Sequence, residues 1–372
     1  MHVLHVVGAR PNFMKAAPVL RALAAQSEIR QTLVHTGQHY DAAMSDIFFQ
    51  QLDMPEPDCN LGVGSGTHAQ QTAAVMLALE PILLERKPDL VLVYGDVNST
   101  LAAALVCAKI KTKTSSARPG IRLAHVEAGL RSGDRSMPEE INRLVTDQLC
   151  DLLFTPSADA NDNLLREGVD PKKIHLVGNV MIDTLVRLLP RTENRLPAGL
   201  PSPYALVTLH RPSNVDDLPW LRQLLATLAD LSSHLTVIFP AHPRTRQRLN
   251  EIGSAYDSNP RVRIVEPLPY LEFIALQRHA AMVITDSGGI QEETTFLGVP
   301  CLTVRENTER PITIAQGTNH LVGRNPQRLQ TAAAEILRQD LNQNRTQRSL
   351  PLWDGHAANR IAQVIITQVI HA

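Results

Sequence analysis

The segment LVLVYGDVNSTLAAALVC, residues 90–107, contains the pattern that decides the fold of this chain. Its first five residues are an apolar run, GDVNST forms a polar turn, and the residues from Ser99 onward are numerous enough for a crossover helix. A strand that is apolar at every position, without polar alternation, is typical of a parallel sheet with helices on both faces. The segment therefore predicts one β-α unit of an α/β protein.

The same unit recurs in two series along the chain. The first series surrounds residue 90, and the second begins beyond a segment that holds four prolines between Pro190 and Pro203. Clustered prolines among polar residues are typical of a linker. The other predicted strands are Val3–Val7, Thr32–His35, Leu123–Val126, Leu152–Thr155, Ile174–Val177, Ala205–Leu209, Thr236–Phe239, Val262–Val265, Met282–Thr285 and Cys301–Val304.

These two series predict two α/β domains, for which 372 residues are sufficient. We expect an N-terminal α/β domain over residues 1–188, a linker over 189–203 and a C-terminal α/β domain over 204–355. Residues 356–372 carry apolar side chains at helical spacing. They predict a C-terminal helix that docks back on the N-terminal domain.

Composition excludes several classes of protein. The 36 Lys and Arg residues balance 37 Asp and Glu residues, so no basic field favours nucleic acid or an anionic membrane. No run of 18 apolar residues occurs, and the N-terminus lacks the pattern of a signal peptide. The four cysteines are scattered, and no metal-ligand spacing is present. We therefore predict a cytoplasmic protein with reduced thiols and no metal.

Charged residues follow several predicted strands of the first series. In open α/β sheets, ligands bind outside the carboxyl ends of the strands. Arg10 follows the first strand, Asp96 follows residues 90–94, and Glu127 ends the strand that begins at Leu123. Two explanations of Asp96 are open, a cap of the following helix or a functional carboxylate, although Ser99 can cap that helix by itself.

A predicted helix near residue 138 carries further acids. Pro138 stands at its first position, and Glu139 and Arg143 are four residues apart, which places them on one face. Glu140 lies about 100° round the helix. Taken by themselves, these residues favour an ordinary surface ion pair between Glu139 and Arg143 over a functional site.

In the second series, anion-binding residues follow three strands. His210 and His242 each stand at a strand end beside an arginine, which suggests a phosphate clamp. Ser287, Gly288 and Gly289 lie between a strand and a helix, where backbone N–H groups suit a diphosphate, although a capped helix explains them too. A glutamate one turn into that helix can bind ribose hydroxyls. The absence of G-x-G-x-x-G argues against a nicotinamide cofactor.

Taken together, these motifs resemble the non-hydrolysing UDP-N-acetylglucosamine 2-epimerase family. The matching segments occur in family order and run from Gly8 to Gly323. The resemblance implies two Rossmann-like parallel-sheet domains facing a cleft, the GT-B fold, with UDP on the C-terminal domain. The segments are GARPNFMKAAPV, TGQHYD, YGDVNST, HVEAGLRSGDRSMPEEINR, VGNVMIDT, VTLHRPSN, TDSGGIQEE, VRENTERP and GTNHLVG.

Residue roles follow from this resemblance, position by position. It implies a homodimeric isomerase of polysaccharide biosynthesis that needs no cofactor and acts by eliminating UDP to 2-acetamidoglucal and adding it back. The implied catalytic residues are Asp96, Glu127, Glu139 and His210, and the implied substrate-binding residues are Arg10, Lys15, Arg143, His242, Ser287, Gly288, Gly289 and Glu293.

Other functions share parts of this pattern. A hydrolysing relative that releases UDP, and an epimerase for a UDP-diacetamido-uronic acid, keep the same motifs. A GT-B glycosyltransferase would need an acceptor site and would not need both Glu127 and Glu139. A non-catalytic nucleotide-sugar-binding protein could lose Asp96, Glu127, Glu139 and His210, all of which this sequence retains.

Overall fold

The fold is described from a computed structural model covering residues 1–38, 49–111, 120–253, 259–338 and 350–370. Contacts between residues divide the chain into two compact units. The first unit comprises Met1–Thr184 together with Pro351–Ala372, and the second comprises Leu185–Leu350. The boundary at residue 184 falls within a helix, Val180–Leu188, just before the proline-rich segment.

The first unit is built on a seven-stranded sheet with the order β3-β2-β1-β4-β5-β6-β7, and every pairing in it is parallel. The strands are β1 His2–Val7, β2 Arg30–His35, β3 Cys59–Asn60, β4 Leu90–Tyr94, β5 Arg122–Val126, β6 Leu152–Thr155 and β7 Ile174–Leu176. The described α-helices are α1 Arg10–Ala24, α2 His68–Arg86, α3 Asn98–Cys107, α4 Pro138–Leu149, α5 Ala158–Arg166, α6 Val180–Leu188 and the C-terminal α14 Ala357–Ile365.

The second unit repeats this design with six parallel strands in the order β10-β9-β8-β11-β12-β13. Its strands are β8 Tyr204–Thr208, β9 Thr236–Pro240, β10 Val262–Val265, β11 Met282–Thr285, β12 Cys301–Thr303 and β13 Asn319–Leu321. Its described α-helices are α7 Pro212–Val215, α8 Leu218–Leu231, α9 Pro243–Ile252, α10 Tyr270–His279, α11 Gly288–Leu297, α12 Ile312–Ala315 and α13 Pro326–Arg338.

Two parallel-sheet α/β domains were predicted, and the structure confirms both sheets. All five residues of β4 are buried, as the apolar run required. The edge strands β3 and β13 were not predicted, because two or three residues give no apolar run to recognise. Among the described helices, none combines the length and apolarity that a membrane span requires.

The C-terminal helix α14 packs against α1 of the first unit. Its first turn is held by Asp183 of α6, whose carboxylate accepts hydrogen bonds from the backbone N–H of Ala357 at 3.1 Å and of Ala358 at 2.7 Å. Just before the helix, the indole Nε1 of Trp353 donates to the carbonyl of Pro156 at 2.9 Å. These bonds join the end of the chain to the sheet of the first unit.

We predict that Asp183 makes the stability of the fold depend on pH. Burial is the largest influence on this carboxyl and raises its pKa from 3.8 to about 6, although the N–H groups of Ala358 and Ala357 oppose the shift. Because the folded state binds this proton more tightly than the unfolded chain, Asp183 stabilises the fold below the unfolded pKa of about 4. That contribution is lost as pH rises through about 6.

The melting temperature of Asp183→Asn should therefore vary less with pH across this window than that of the wild type. The control is Asp170→Asn, since Asp170 is exposed and caps only the 3₁₀ turn Pro171–Lys173. Thermal denaturation followed by circular dichroism measures both variants. An Asp183→Asn profile as steep as the wild-type profile would contradict the assignment.

Candidate active site

The carboxyl edge of the first sheet collects the predicted residues of the N-terminal half. Strands β1, β4 and β5 are neighbours in the sheet, so the turns that follow them lie side by side. Arg10 begins α1 after β1, Asp96 follows β4, and Glu127 follows β5. Topology therefore groups residues that are up to 117 positions apart in the sequence.

Glu127 is the most constrained residue of this edge. Its backbone adopts the left-handed conformation with φ of 75°, which a residue with a side chain adopts at a cost of about 1–3 kcal/mol. The carboxylate is buried and forms an ion pair with the ammonium of Lys15 at 2.8 Å. Because strain of this kind persists mainly at functional sites, the geometry marks Glu127 as a candidate catalytic group.

Gly95 lets Lys15 reach this position. Its φ is 60°, and a Cβ atom there would lie only 2.6 Å from Nζ of Lys15. The turn is fixed from behind, since the carbonyl of Tyr94 accepts hydrogen bonds from Asn12 at 2.7 Å and Thr100 at 2.8 Å. The ammonium of Lys15 therefore lies beside both the turn that precedes Asp96 and the carboxylate of Glu127.

Arg143 forms ion pairs with two acidic residues. Its buried guanidinium forms an ion pair with Asp96 and a second one with Glu140 at 2.6 Å. The expected surface ion pair between Glu139 and Arg143 is therefore wrong. Arg143 pairs with Glu140, three residues before it, instead of with Glu139, four residues before it, and Arg143 is buried.

The Glu140 carboxylate accepts several hydrogen bonds and has a structural role. Its carboxylate accepts bonds from the N–H and hydroxyl of Ser132 at 3.0 and 3.1 Å and from the N–H of Gly133 at 2.9 Å. Burial alone would raise the pKa of Glu140, but the Ser132 N–H and the Arg143 guanidinium outweigh it and lower the pKa below its ordinary value. Glu140 is thus anionic at neutral pH.

Glu139 differs from its neighbour. It is half-buried in the first turn of α4, and no side chain in the described part of the structure pairs with its carboxylate. Ser99 also differs from expectation, because it does not cap α3, and neither does Asp96. The helix begins after Val97 without a side-chain cap, and Ser99 instead donates to Gln38 Oε1 at 2.7 Å.

In the second unit, the predicted histidines follow neighbouring strands β8 and β9. His210 is half-exposed, and its Nδ1 lies 3.1 Å from the carboxylate of Asp286. His242 is exposed immediately before α9. The contact with Asp286 holds the Nδ1 edge of the His210 ring and leaves Nε2 on the opposite edge.

Asp286 was not among the predicted site residues, although it lies inside the motif TDSGG. It is fully buried and accepts hydrogen bonds from the N–H of His210 at 3.1 Å, the N–H of Arg211 at 3.0 Å and the amide of Asn214 at 3.0 Å. Burial would raise its pKa, but His210 and Asn214 outweigh burial and lower it. The indication available in the sequence was an aspartate directly before Ser-Gly-Gly.

Helix α11 starts at the predicted diphosphate turn. Ser287, at the N-cap position just before the helix, makes no side-chain cap, so its hydroxyl does not bond the first N–H groups of the helix. A Cβ atom at Gly288 would lie 2.3 Å from Nη1 of Arg310 and 2.6 Å from Glu309. Glycine therefore admits the Arg310 guanidinium beside this turn. Arg310 lies in the segment VRENTERP, but no role was predicted for it.

Glu293 lies one turn further along α11 and is buried. The hydroxyl of Tyr270, at the start of α10, donates to its carboxylate at 2.6 Å. The second unit thus groups Ser287, Gly288, Gly289 and Glu293 on one short helical segment. Within the described residues, no group of three His, Cys, Asp or Glu side chains is placed to hold a metal ion.

Comparison with known proteins agrees with this geometry. A family model for UDP-N-acetylglucosamine 2-epimerase matches residues 21–366. A UDP-N-acetylglucosamine 2-epimerase of Methanocaldococcus jannaschii is 42% identical over 371 residues, which cover 97% of each chain. A UDP-2,3-diacetamido-2,3-dideoxy-D-glucuronate 2-epimerase of Pseudomonas aeruginosa is 43% identical over 328 residues, covering 87% of this chain and 88% of the relative.

Solved structures give the same result. The crystal structure of the M. jannaschii UDP-GlcNAc 2-epimerase with UDP-GlcNAc and UDP superposes with a TM-score of 0.87 at 40% identity, covering 99% of this chain and 100% of that one. The Neisseria meningitidis enzyme bound to UDP-GlcNAc gives a TM-score of 0.87 at 29% identity, with the same coverage. The family model and these relatives, together with the two parallel-sheet domains, show that this chain belongs to the UDP-N-acetylglucosamine 2-epimerase family of isomerases.

Proposed function

We propose that this protein interconverts UDP-N-acetylglucosamine and UDP-N-acetylmannosamine without net hydrolysis. The observation that carries the proposal is Glu127, a buried carboxylate in a strained conformation, paired with Lys15 at 2.8 Å. Support also comes from the M. jannaschii relative, which bears this activity in its name and whose structure holds UDP-GlcNAc and UDP.

The reaction must invert C2, whose proton is not adjacent to a carbonyl. In the proposed route, a carboxylate takes the C2 proton, and the C1–O bond breaks with its electron pair going to the β-phosphate of UDP. The product of this step is 2-acetamidoglucal. Re-addition of UDP at C1, with a proton delivered to the other face of C2, gives the epimer. No electrons are transferred to or from the protein, so no redox cofactor is required.

The first unit supplies the proton-transfer groups in this proposal. Two of its acids already have a cationic partner, Glu127 with Lys15 and Asp96 with Arg143. Such cations balance the charge of a carboxylate base, and they can stabilise charge that develops during elimination. Glu139, without such a partner among the described residues, is suited to carry a proton to and from the sugar.

The second unit binds UDP in this proposal. The N–H groups of Gly288 and Gly289 at the start of α11, with the Arg310 guanidinium beside them, suit a diphosphate. Glu293 accepts hydrogen bonds from the ribose hydroxyls. Asp286 orients His210 through Nδ1, and the Nε2 side of the His210 ring assists the departing diphosphate.

A second candidate substrate is a UDP-diacetamido-uronic acid. The P. aeruginosa relative named for such a substrate is as similar in sequence as the M. jannaschii enzyme, at 43% against 42% identity. The chemistry at C2 would be the same. Proton NMR of each substrate with the purified protein distinguishes the two possibilities, because only the true substrate yields a C2 epimer at a useful rate.

We predict that the product formed in heavy water carries deuterium at C2, as loss of the C2 proton requires. Asp96→Asn, Glu127→Gln and Glu139→Gln should each lower kcat by roughly 100-fold or more, since the amide cannot accept the proton. Their affinity for UDP should change little, because the UDP groups belong to the other unit. Rates and deuterium content follow from one NMR time course.

Asp89→Asn is the matched control for Asp96→Asn. Both residues are partly exposed and flank β4, but Asp89 precedes the strand and binds the N–H of His2 at 2.8 Å, at the opposite edge of the sheet. Glu140→Gln is not a suitable control, because it is expected to disturb Arg143 and Ser132. Retention of the C2 proton would refute the elimination route.

Replacement of Asp286 should impair His210. In Asp286→Asn the amide can no longer serve as a full acceptor for the imidazole and the two backbone donors, so we expect kcat to fall roughly 10-fold or more. Asp217→Asn is the control in the same unit, since Asp217 is an exposed helix cap paired with Arg324. Equal rates for the wild type and Asp286→Asn would show that Asp286 does not contribute to catalysis.

Activity should be independent of divalent metal. In the second unit, His210 and the N–H groups at the start of α11 can hold the diphosphate without a metal ion, so the reaction is expected to survive dialysis against EDTA. The measurement is the epimerisation rate before and after chelation. Complete loss of activity that magnesium restores would contradict this prediction.

A further inference from the structure

A buried histidine-aspartate pair lies behind the turns that present Asp96 and Glu127. His125 belongs to β5 and Asp147 to α4, and both side chains are completely buried. The imidazole Nδ1 lies 2.6 Å from Asp147 Oδ1, and Nε2 lies 2.7 Å from the carbonyl oxygen of Gly95. Neither residue was singled out by the sequence, and neither is used in the proposed reaction.

Both partners of this imidazole are hydrogen-bond acceptors. A backbone carbonyl has no proton to donate, and the second oxygen of Asp147 already accepts from the N–H of Gly129 at 3.0 Å and the guanidinium of Arg131 at 2.8 Å. Both ring nitrogens of His125 must therefore donate, which requires the imidazolium form. Burial would raise the pKa of Asp147, but His125 and Arg131 outweigh it and lower that pKa, consistent with a carboxylate between two cations.

Charge is balanced within this buried group. Arg131 also binds Glu167 through two hydrogen bonds of 2.8 and 2.7 Å. Two cations, His125 and Arg131, thus face two anions, Asp147 and Glu167. A buried imidazolium is tolerated here because each charge has a partner at hydrogen-bond distance.

The group also connects the two turns of the site. Gly95, which accepts from His125, directly precedes Asp96, and Gly129, which donates to Asp147, comes two residues after Glu127. A displacement of either turn would break a buried, charge-assisted hydrogen bond. The backbones of the two turns are therefore linked through one hydrogen-bonded chain formed by His125 and Asp147.

We propose that His125 and Asp147, supported by Arg131, form a positioning strut in which an imidazolium sets the separation of the turns carrying Asp96 and Glu127. This inference rests on the proposed function, since it assigns the strut to the alignment of the proton-transfer groups. The strut touches no substrate. It acts through the backbone of the two turns.

Two substitutions separate the two bonds of the imidazole. His125→Asn retains a donor near the Nδ1 position toward Asp147, and His125→Gln retains a donor near the Nε2 position toward Gly95. Each variant loses one of the two hydrogen bonds of the imidazole, so we expect kcat to fall roughly 10- to 100-fold. The Kd for UDP should stay within about 2-fold, because the diphosphate groups belong to the other unit.

The matched control is His5→Gln. His5 is also completely buried in the first sheet, and it bonds the Tyr94 hydroxyl through Nδ1 at 2.6 Å without a hydrogen bond to either turn. It should lower the melting temperature as the His125 variants do but leave kcat within about 2-fold of wild type. Wild-type kcat in both His125 variants would overturn the proposal.

Nitrogen NMR of the wild-type protein labelled with ¹⁵N-histidine provides a test that needs no variant. Both ring nitrogens of His125 should carry protons at neutral pH, and an unprotonated ring nitrogen would overturn the proposal even if the variants do not fold. C2 deuteration by the wild type with UDP-GlcNAc is measured in parallel. Absence of that exchange would refute the proposed function, whereas the NMR result reports on the strut separately.

Discussion

The ion pair between Lys15 and Glu127 is the interaction on which the arrangement of the first unit depends. It joins α1 to the end of β5, beside the turn that follows β4, and both side chains are nearly inaccessible to solvent. Removal of one partner would leave a buried charge, at a cost of about 3–5 kcal/mol. The left-handed conformation of Glu127 and the glycine at position 95 are both consequences of placing this pair at the sheet edge.

The environment of each acid explains why neighbouring carboxylates have different roles. Glu140 receives backbone N–H groups and a guanidinium, which lower its pKa and commit it to structure. Glu139, one residue earlier on the same helix, is half-buried and pairs with no side chain among the described residues. Adjacent residues of one type thus differ in environment, because the helix turns about 100° between them.

The second unit also holds a turn with a buried carboxylate. Asp286 is a buried carboxylate that gathers donors from the turn after β8 and orients a half-exposed histidine. The glycine at position 288 is required by a neighbour, the Arg310 guanidinium, and not by a left-handed backbone. In both units a buried acid accepts hydrogen bonds from the backbone N–H groups of a turn.

The sequence by itself determined the two α/β domains, the central strands and the turns that hold the candidate site residues. These follow from local patterns, since an apolar run and the polar turn after it are contiguous in the chain. Tertiary structure alone decided that Arg143 pairs with Asp96 and Glu140, that Asp286 lies beneath His210, and that β3 and β13 complete the sheets. Such pairings depend on side-chain direction and on which residues the fold brings together, and no local pattern carries that information.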